Sequence, residues 1–138
     1  MPGPIESLSA VTLVTRNMVD AVAFYRALGF GLAYGGPDAA FTCFRSGRSF
    51  LNLQLVVDAP AGGAWGRIIF WVDNVDAMHA RAVAAGLHPL MAPADAPWGE
   101  RYFHIRDRDG HELSFARRLA EQPLGNVNVG VDSTDSDE

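Results

Sequence analysis

Three groups of residues in this chain have the types and spacing for chemistry. Arg67 opens the apolar run Arg67-Ile68-Ile69-Phe70-Trp71-Val72. In a strand, period-two alternation puts its guanidinium on one face with Ile69 and Trp71. A permanent cation taken out of water needs an anion. That anion is either a carboxylate, phosphate or phenolate of a ligand, or Glu112, which alternation places on the same side. His104 and Glu112 stand on the two arms of one hairpin. Close together they offer a general acid and base, an unusual pair of metal ligands, or an ordinary hydrogen-bonded pair. Trp98 lies in a loop with Pro93, Pro97 and Gly99, where it can stack on a planar ligand or pack on its own loop. Nothing beside Cys43 in sequence would activate its thiolate, so it reads as a packing residue. His79 and His88 read as surface or helix-end residues and His111 as part of a turn.

The elements that position these residues occur twice. Shifted by 57 positions, Leu13–Phe30 falls onto Phe70–Leu87, so that Asn17 meets Asn74, Ala23 meets Ala80 and Gly29 meets Gly86. Each copy runs strand, Asn cap, amphipathic helix, Gly stop, further strands. A long period used only twice points to two half-domains and not to a solenoid. In the first copy the spacing predicts a strand over 11–15, a helix after Asn17, a turn-rich stretch over 34–38, and a hairpin of 40–45 with 50–57. In the second it predicts a strand over 67–72, a helix over 75–85, a short strand over 88–91 and a loop over 93–99. Strands over 101–106 and 112–116 follow, joined by Asp107-Arg108-Asp109-Gly110, which has good turn chemistry.

Composition narrows the options. The 138 residues, nearly half of them apolar, suffice for one domain or two small modules sharing a core. No apolar run approaches the ~20 residues of a membrane span, and the first residues carry no signal-peptide pattern. One cysteine excludes an internal disulfide and fits a reducing cytoplasm. Residues 1–120 hold eleven arginines and eleven acids, so the net charge of −5 belongs to the tail. A neutral body argues against a nucleic-acid groove, which needs a basic stripe. The tail itself is rich in Gly, Asn, Asp and Ser and is expected to be disordered.

Alternation also sorts the faces. Leu51, Leu53 and Leu55, Ile68, Phe70 and Val72, and Leu113 with Phe115 should pack under the helices. The opposite faces then hold Ala10, Thr12 and Val14; Phe50, Asn52 and Gln54; Arg67, Ile69 and Trp71; Glu112, Ser114 and Ala116; and Tyr102 with His104. Such a mixed polar and aromatic face is either a cavity wall or the watered side of an antiparallel sheet.

Several stretches resemble the vicinal oxygen chelate superfamily of glyoxalases, extradiol dioxygenases, and fosfomycin- and bleomycin-resistance proteins. They are Val11-Thr12-Leu13-Val14, Ala23-Phe24-Tyr25-Arg26-Ala27-Leu28-Gly29-Phe30, Phe70-Trp71-Val72-Asp73-Asn74-Val75-Asp76-Ala77, Pro97-Trp98-Gly99-Glu100-Arg101, and the hairpin Arg106–Leu113. The resemblance covers about residues 8–117 and departs from the usual turn in having Arg108 where a proline is customary. It implies an α+β fold of paired βαβββ modules forming an incomplete barrel around a cavity, as a homodimer. The implied modules are 8–58 and 67–118, with an extension over 1–7, a linker over 59–66 and a tail over 119–138. Enzymes of the superfamily hold a divalent metal with His or Glu from four strand positions. Here those positions carry Ala10, Asn52 (or Gln54), Arg67 and Ser114, none of them a good ligand. The expectation is therefore no metal and no cofactor. The implied protein is a cytoplasmic binding protein for a small aromatic or anionic molecule, with antibiotic sequestration as the concrete case and neither nucleic acid nor membrane as partner. The expected ligand-binding residues are Asn52, Gln54, Arg67, Trp71, Trp98, Arg101, Tyr102 and Ser114. The alternative is an enzyme, either a metal-free isomerase, cyclase or lyase, or a glyoxalase- or dioxygenase-like enzyme with displaced ligands, using His104 and Glu112.

Overall fold

A computed structural model describes residues 3–119. The acidic tail expected beyond them lies outside the described residues. The chain forms two compact units. One holds the residues up to 63 together with 108–111, and the other holds 64–107 and the residues from 112.

In the first unit β1 (Ala10–Thr15) leads into α1 (Met18–Ala27), followed by β2 (Gly31–Tyr34), β3 (Phe41–Ser46) and β4 (Ser49–Leu55). The sheet order is β1-β4-β3-β2, with β1 parallel to β4 and the others antiparallel. Asn17 starts α1 because its Oδ1 accepts the Asp20 N–H at 3.0 Å, satisfying one of the orphan donors of the first turn. Met18, Ala21, Val22, Phe24 and Tyr25 of α1 are buried, as are Leu13, Phe44, Leu51 and Leu53 of the sheet. The rings of Tyr25 and Phe44 lie 5.8 Å apart. Strand β2 falls where the sequence offers little pattern: most of its residues are exposed, and its pairing with β3 shifts between Leu32 and Tyr34.

Two tight places shape this unit. Thr42 is fully buried, and its Oγ1 accepts the Gly36 N–H at 3.0 Å and donates to the Gly36 carbonyl at 3.1 Å. Thr42→Val keeps the shape and leaves the buried Gly36 N–H unpaired, while the Gly36 carbonyl keeps the Ala39 N–H at 3.1 Å. The expected cost is about 1–3 kcal/mol, read as a lowered urea midpoint with unchanged m. The second place is the turn 108–111. Asp109 Oδ1 accepts from Arg16 N at 2.9 Å and Nε at 3.3 Å, and the Asp109 carbonyl accepts the Gly62 N–H at 2.6 Å. His111 Nε2 lies 2.9 Å from the Val14 carbonyl oxygen; a carbonyl only accepts, so Nε2 carries the proton. A Cβ on Gly62 would sit 2.6 Å from His111 Nδ1, so only glycine fits there.

The second unit repeats the plan: β5 (Arg67–Trp71), α2 (Val75–Ala84), β6 (Ala94–Asp95), β7 (Glu100–Arg106) and β8 (Glu112–Arg118) in the order β5-β8-β7-β6. Asn74 caps α2 through its Oδ1 and the Ala77 N–H at 2.9 Å. The core is Phe103, Ile105, Leu113 and Phe115, with the Phe115 ring 5.5 Å from both Phe70 and Phe103. The strand expected over 88–91 is not formed. Pro89 has no N–H to give, and the stretch keeps a bond from Leu90 N to His104 O at 2.8 Å. The fourth strand lies instead at Ala94–Asp95, inside the stretch expected to be loop. Both units are open mixed sheets with one helix each, the α+β class and βαβββ order expected from the sequence.

Candidate functional site

The open face of the second sheet is built by register. Arg67, Glu112 and Arg106 lie side by side across β5, β8 and β7; the next row is Ile69, Ser114, His104, and the next Trp71, Ala116, Tyr102. Beyond these, Arg118 stands opposite Glu100.

The first row is electrostatically closed. Arg67 Nε and Nη2 each lie 3.1 Å from Glu112 Oε2, and Arg106 Nη2 lies 3.6 Å from Glu112 Oε1. The ion pair with Glu112 that alternation allows for Arg67 is thus formed. His104 and Glu112 are diagonal neighbours on this face, a relation that spaces residues about 7–8 Å apart. The carboxylate turns to its two arginines, and the His104 ring lies 5.1 Å from Tyr102.

The rest of the face is aromatic. Trp98 stacks over Tyr102 with centroids 6.5 Å apart, and its Nε1 donates to Glu100 Oε1 at 3.3 Å. Arg118 lies over the Trp71 ring at 5.2 Å. Trp71 is 56% exposed and Ile69 46%, whereas Ser114 and Ala116 on β8 between them and β7 are fully buried. Small residues in the middle strand let the flanking side chains close over it. Ser114 Oγ and Arg118 Nε are buried here and have no hydrogen-bond partner among the described residues.

Arg101 belongs to the other side of the sheet. It alternates with Tyr102, and its guanidinium meets Asp76 of α2 at 2.9 Å and Asp95 of β6 at 2.8 Å. Hydrogen bonding to Asp76, and then to Asp95, raises its pKa above the ordinary arginine value. It is thus held apart from Trp71, Tyr102 and Ser114. Arg118 was not among the residues expected at this face. The signal was present: the period-two series Glu112, Ser114, Ala116 continues to it, and the strand runs two residues further than its apolar pattern suggests.

The first unit has its own open face. Asn52 lies between Thr12 and Cys43 in the register, with Gln54 two residues on. Asn52 Nδ2 donates to Thr12 Oγ1 at 3.2 Å, and its Oδ1 is buried without a partner among the described residues. Phe41 and Phe50 on this sheet are partly exposed.

At the four positions where the resemblance implies metal ligands, Ala10 has no ligating atom, Asn52 and Ser114 are neutral and poor ligands, and Arg67 is a cation. Among the described residues no three His, Cys, Asp or Glu side chains gather into a metal-holding group.

Comparison with known proteins agrees with this architecture. The family model described as Glyoxalase/Bleomycin resistance protein/Dioxygenase superfamily matches residues 7–115. TioX from Micromonospora sp. ML1 is 28% identical, covering 82% of this chain and 99% of its own, with a TM-score of 0.68. A bleomycin-binding protein solved with bleomycin is 21% identical over 83% of this chain and 99% of its own, with a TM-score of 0.66. A bleomycin resistance determinant encoded on the transposon Tn5 is 20% identical over the same shares, with a TM-score of 0.69. The last two identities bear on the fold alone. A comparison with curated proteins found no match.

Proposed function

Because the chain belongs to the Glyoxalase/Bleomycin resistance protein/Dioxygenase superfamily, we propose that it binds a small aromatic molecule without a metal ion, as a homodimer in the cytoplasm. Sequestration of an antibiotic is the concrete form of this function. The observation that carries the reading is the aromatic end of the second sheet. Trp71, Tyr102 and Trp98 are presented on one face with much of Trp71 open to solvent, an arrangement suited to planar guests. The metal positions support the second half of the reading, since all four carry non-ligands. Bleomycin itself is a poor candidate. A trap for a cationic glycopeptide would be expected to show an acidic cleft, whereas residues 1–120 balance eleven arginines against eleven acids.

The enzyme alternative would need Glu112 as an acid or base, and its oxygens are engaged by Arg67 and Arg106. Helices give no route to a membrane: among the described residues none is long and apolar enough to cross one.

Native mass spectrometry of the protein as purified tests the proposal. The expected species is a dimer, bare or carrying an organic adduct, with its mass and its affinity for an aromatic probe unchanged by EDTA. A stoichiometric divalent ion that survives chelation, or binding that disappears with EDTA, would overturn metal independence. A monomer at micromolar concentration would overturn the dimer.

A further inference from the structure

We propose that the guest of the second sheet is an aromatic anion, held by Arg118 with its ring against Trp71. The inference rests on the binding function proposed above and adds the charge of the guest and the residue that reads it. The arginines of this unit differ in how they are satisfied. Arg67 and Arg106 share Glu112, and Arg101 is held by Asp76 and Asp95. Arg118 has no carboxylate within ion-pair distance among the described residues, and its Nε is buried without an acceptor. Its cross-strand neighbour Glu100 is turned to the Trp98 indole. The guanidinium instead lies over Trp71, a contact that fixes its plane and leaves its N–H groups to a ligand. A buried guanidinium N–H without an acceptor is costly. A carboxylate or phenolate oxygen supplies the acceptor and the missing charge together, with geometry suited to the planar fork. Trp71, more than half exposed even with Arg118 above it, is beside that anchor and takes the ring.

The test uses the full-length chain and two probes of nearly equal shape, 2-naphthoate and 2-naphthamide, titrated by calorimetry and tryptophan quenching. The carboxylate is expected to bind about tenfold more tightly than the amide, the size of a charge-assisted hydrogen bond. Arg118→Gln should abolish that preference, bringing the carboxylate's affinity down to that of the amide in the same variant. Arg117→Gln, on the opposite face of β8, should preserve it. Arg118→Lys, which keeps the charge and loses the fork, should retain part of it. Equal binding of the two probes to the unaltered chain would overturn the anionic guest and leave the binding function standing. A preference that survives in Arg118→Gln would overturn Arg118 as the anchor. Failure of both probes to bind at millimolar concentration would remove the inference together with the function it rests on.

Discussion

Replacing Trp71 and Tyr102 together by alanine is expected to weaken binding of an aromatic guest about a hundredfold. Each ring brings apolar area and an oriented quadrupole worth about 1.5 kcal/mol against a planar partner, and two such losses multiply to roughly that factor. The two side chains flank Ala116 across the sheet, so either single variant keeps one of these two surfaces for the guest and the double variant removes both. Stability should change little. Trp71 is mostly in solvent, and Tyr102 is half-buried against Trp98 and His104, so a Tm lower by only a few degrees is expected. Calorimetric titration beside a melting curve checks both. An unchanged affinity in the double variant would place the guest elsewhere.

The largest effect on stability is expected at Phe115. It is 1% exposed, and its ring is paired with Phe70 on one neighbouring strand and Phe103 on the other, each at 5.5 Å. Phe115→Ala removes the centre of a three-ring layer that rigid strands cannot close over. The cost should be about 3–5 kcal/mol, a large share of the total for a domain of this size. Urea unfolding measures it. A loss below about 1 kcal/mol would mean that the layer collapses onto the gap. Phe115 alternates with Ser114 and faces the core, so variant protein that remains folded should keep its affinity for the guest.

Much of this was legible in the sequence because two signals are local and strong. Asn17 and Asn74 fix the helix starts through single side-chain contacts, and period-two alternation assigns Leu51, Leu53, Leu113 and Phe115 to the core face and Arg67, Ser114 and Tyr102 to the other. Where neither signal operates, reading failed. Strand β2 is mostly exposed and carries a register shift, so its hydrophobic pattern says nothing. The stretch over 88–91 looked strand-like in composition, but Pro89 removes a donor, and pairing moved on to Ala94–Asp95. At the site, alternation could place Arg67 and Glu112 on one face, but it could not decide between a partner and a ligand for Arg67. That choice depends on cross-strand register, which sets the two residues directly opposite each other. Arg118 was missed for a related reason. Its backbone belongs to β8 only because the strand outlasts its apolar residues, held there by pairing with Glu100 and Arg101.

The turn 108–111 has a consequence for how the protein is made. The first unit ends in sequence at Gly63 yet includes this turn, whose Asp109 and His111 hold Arg16, Val14 and Gly62. A ribosome that has just released Gly63 has therefore not supplied everything the first unit needs. The 48 residues from 64 to 111 must still be translated, which takes about 2–10 s at ordinary synthesis rates. During that interval the end of β1 waits without its clasp, and the N-terminal half of a nascent chain finishes folding only when most of the C-terminal half has emerged.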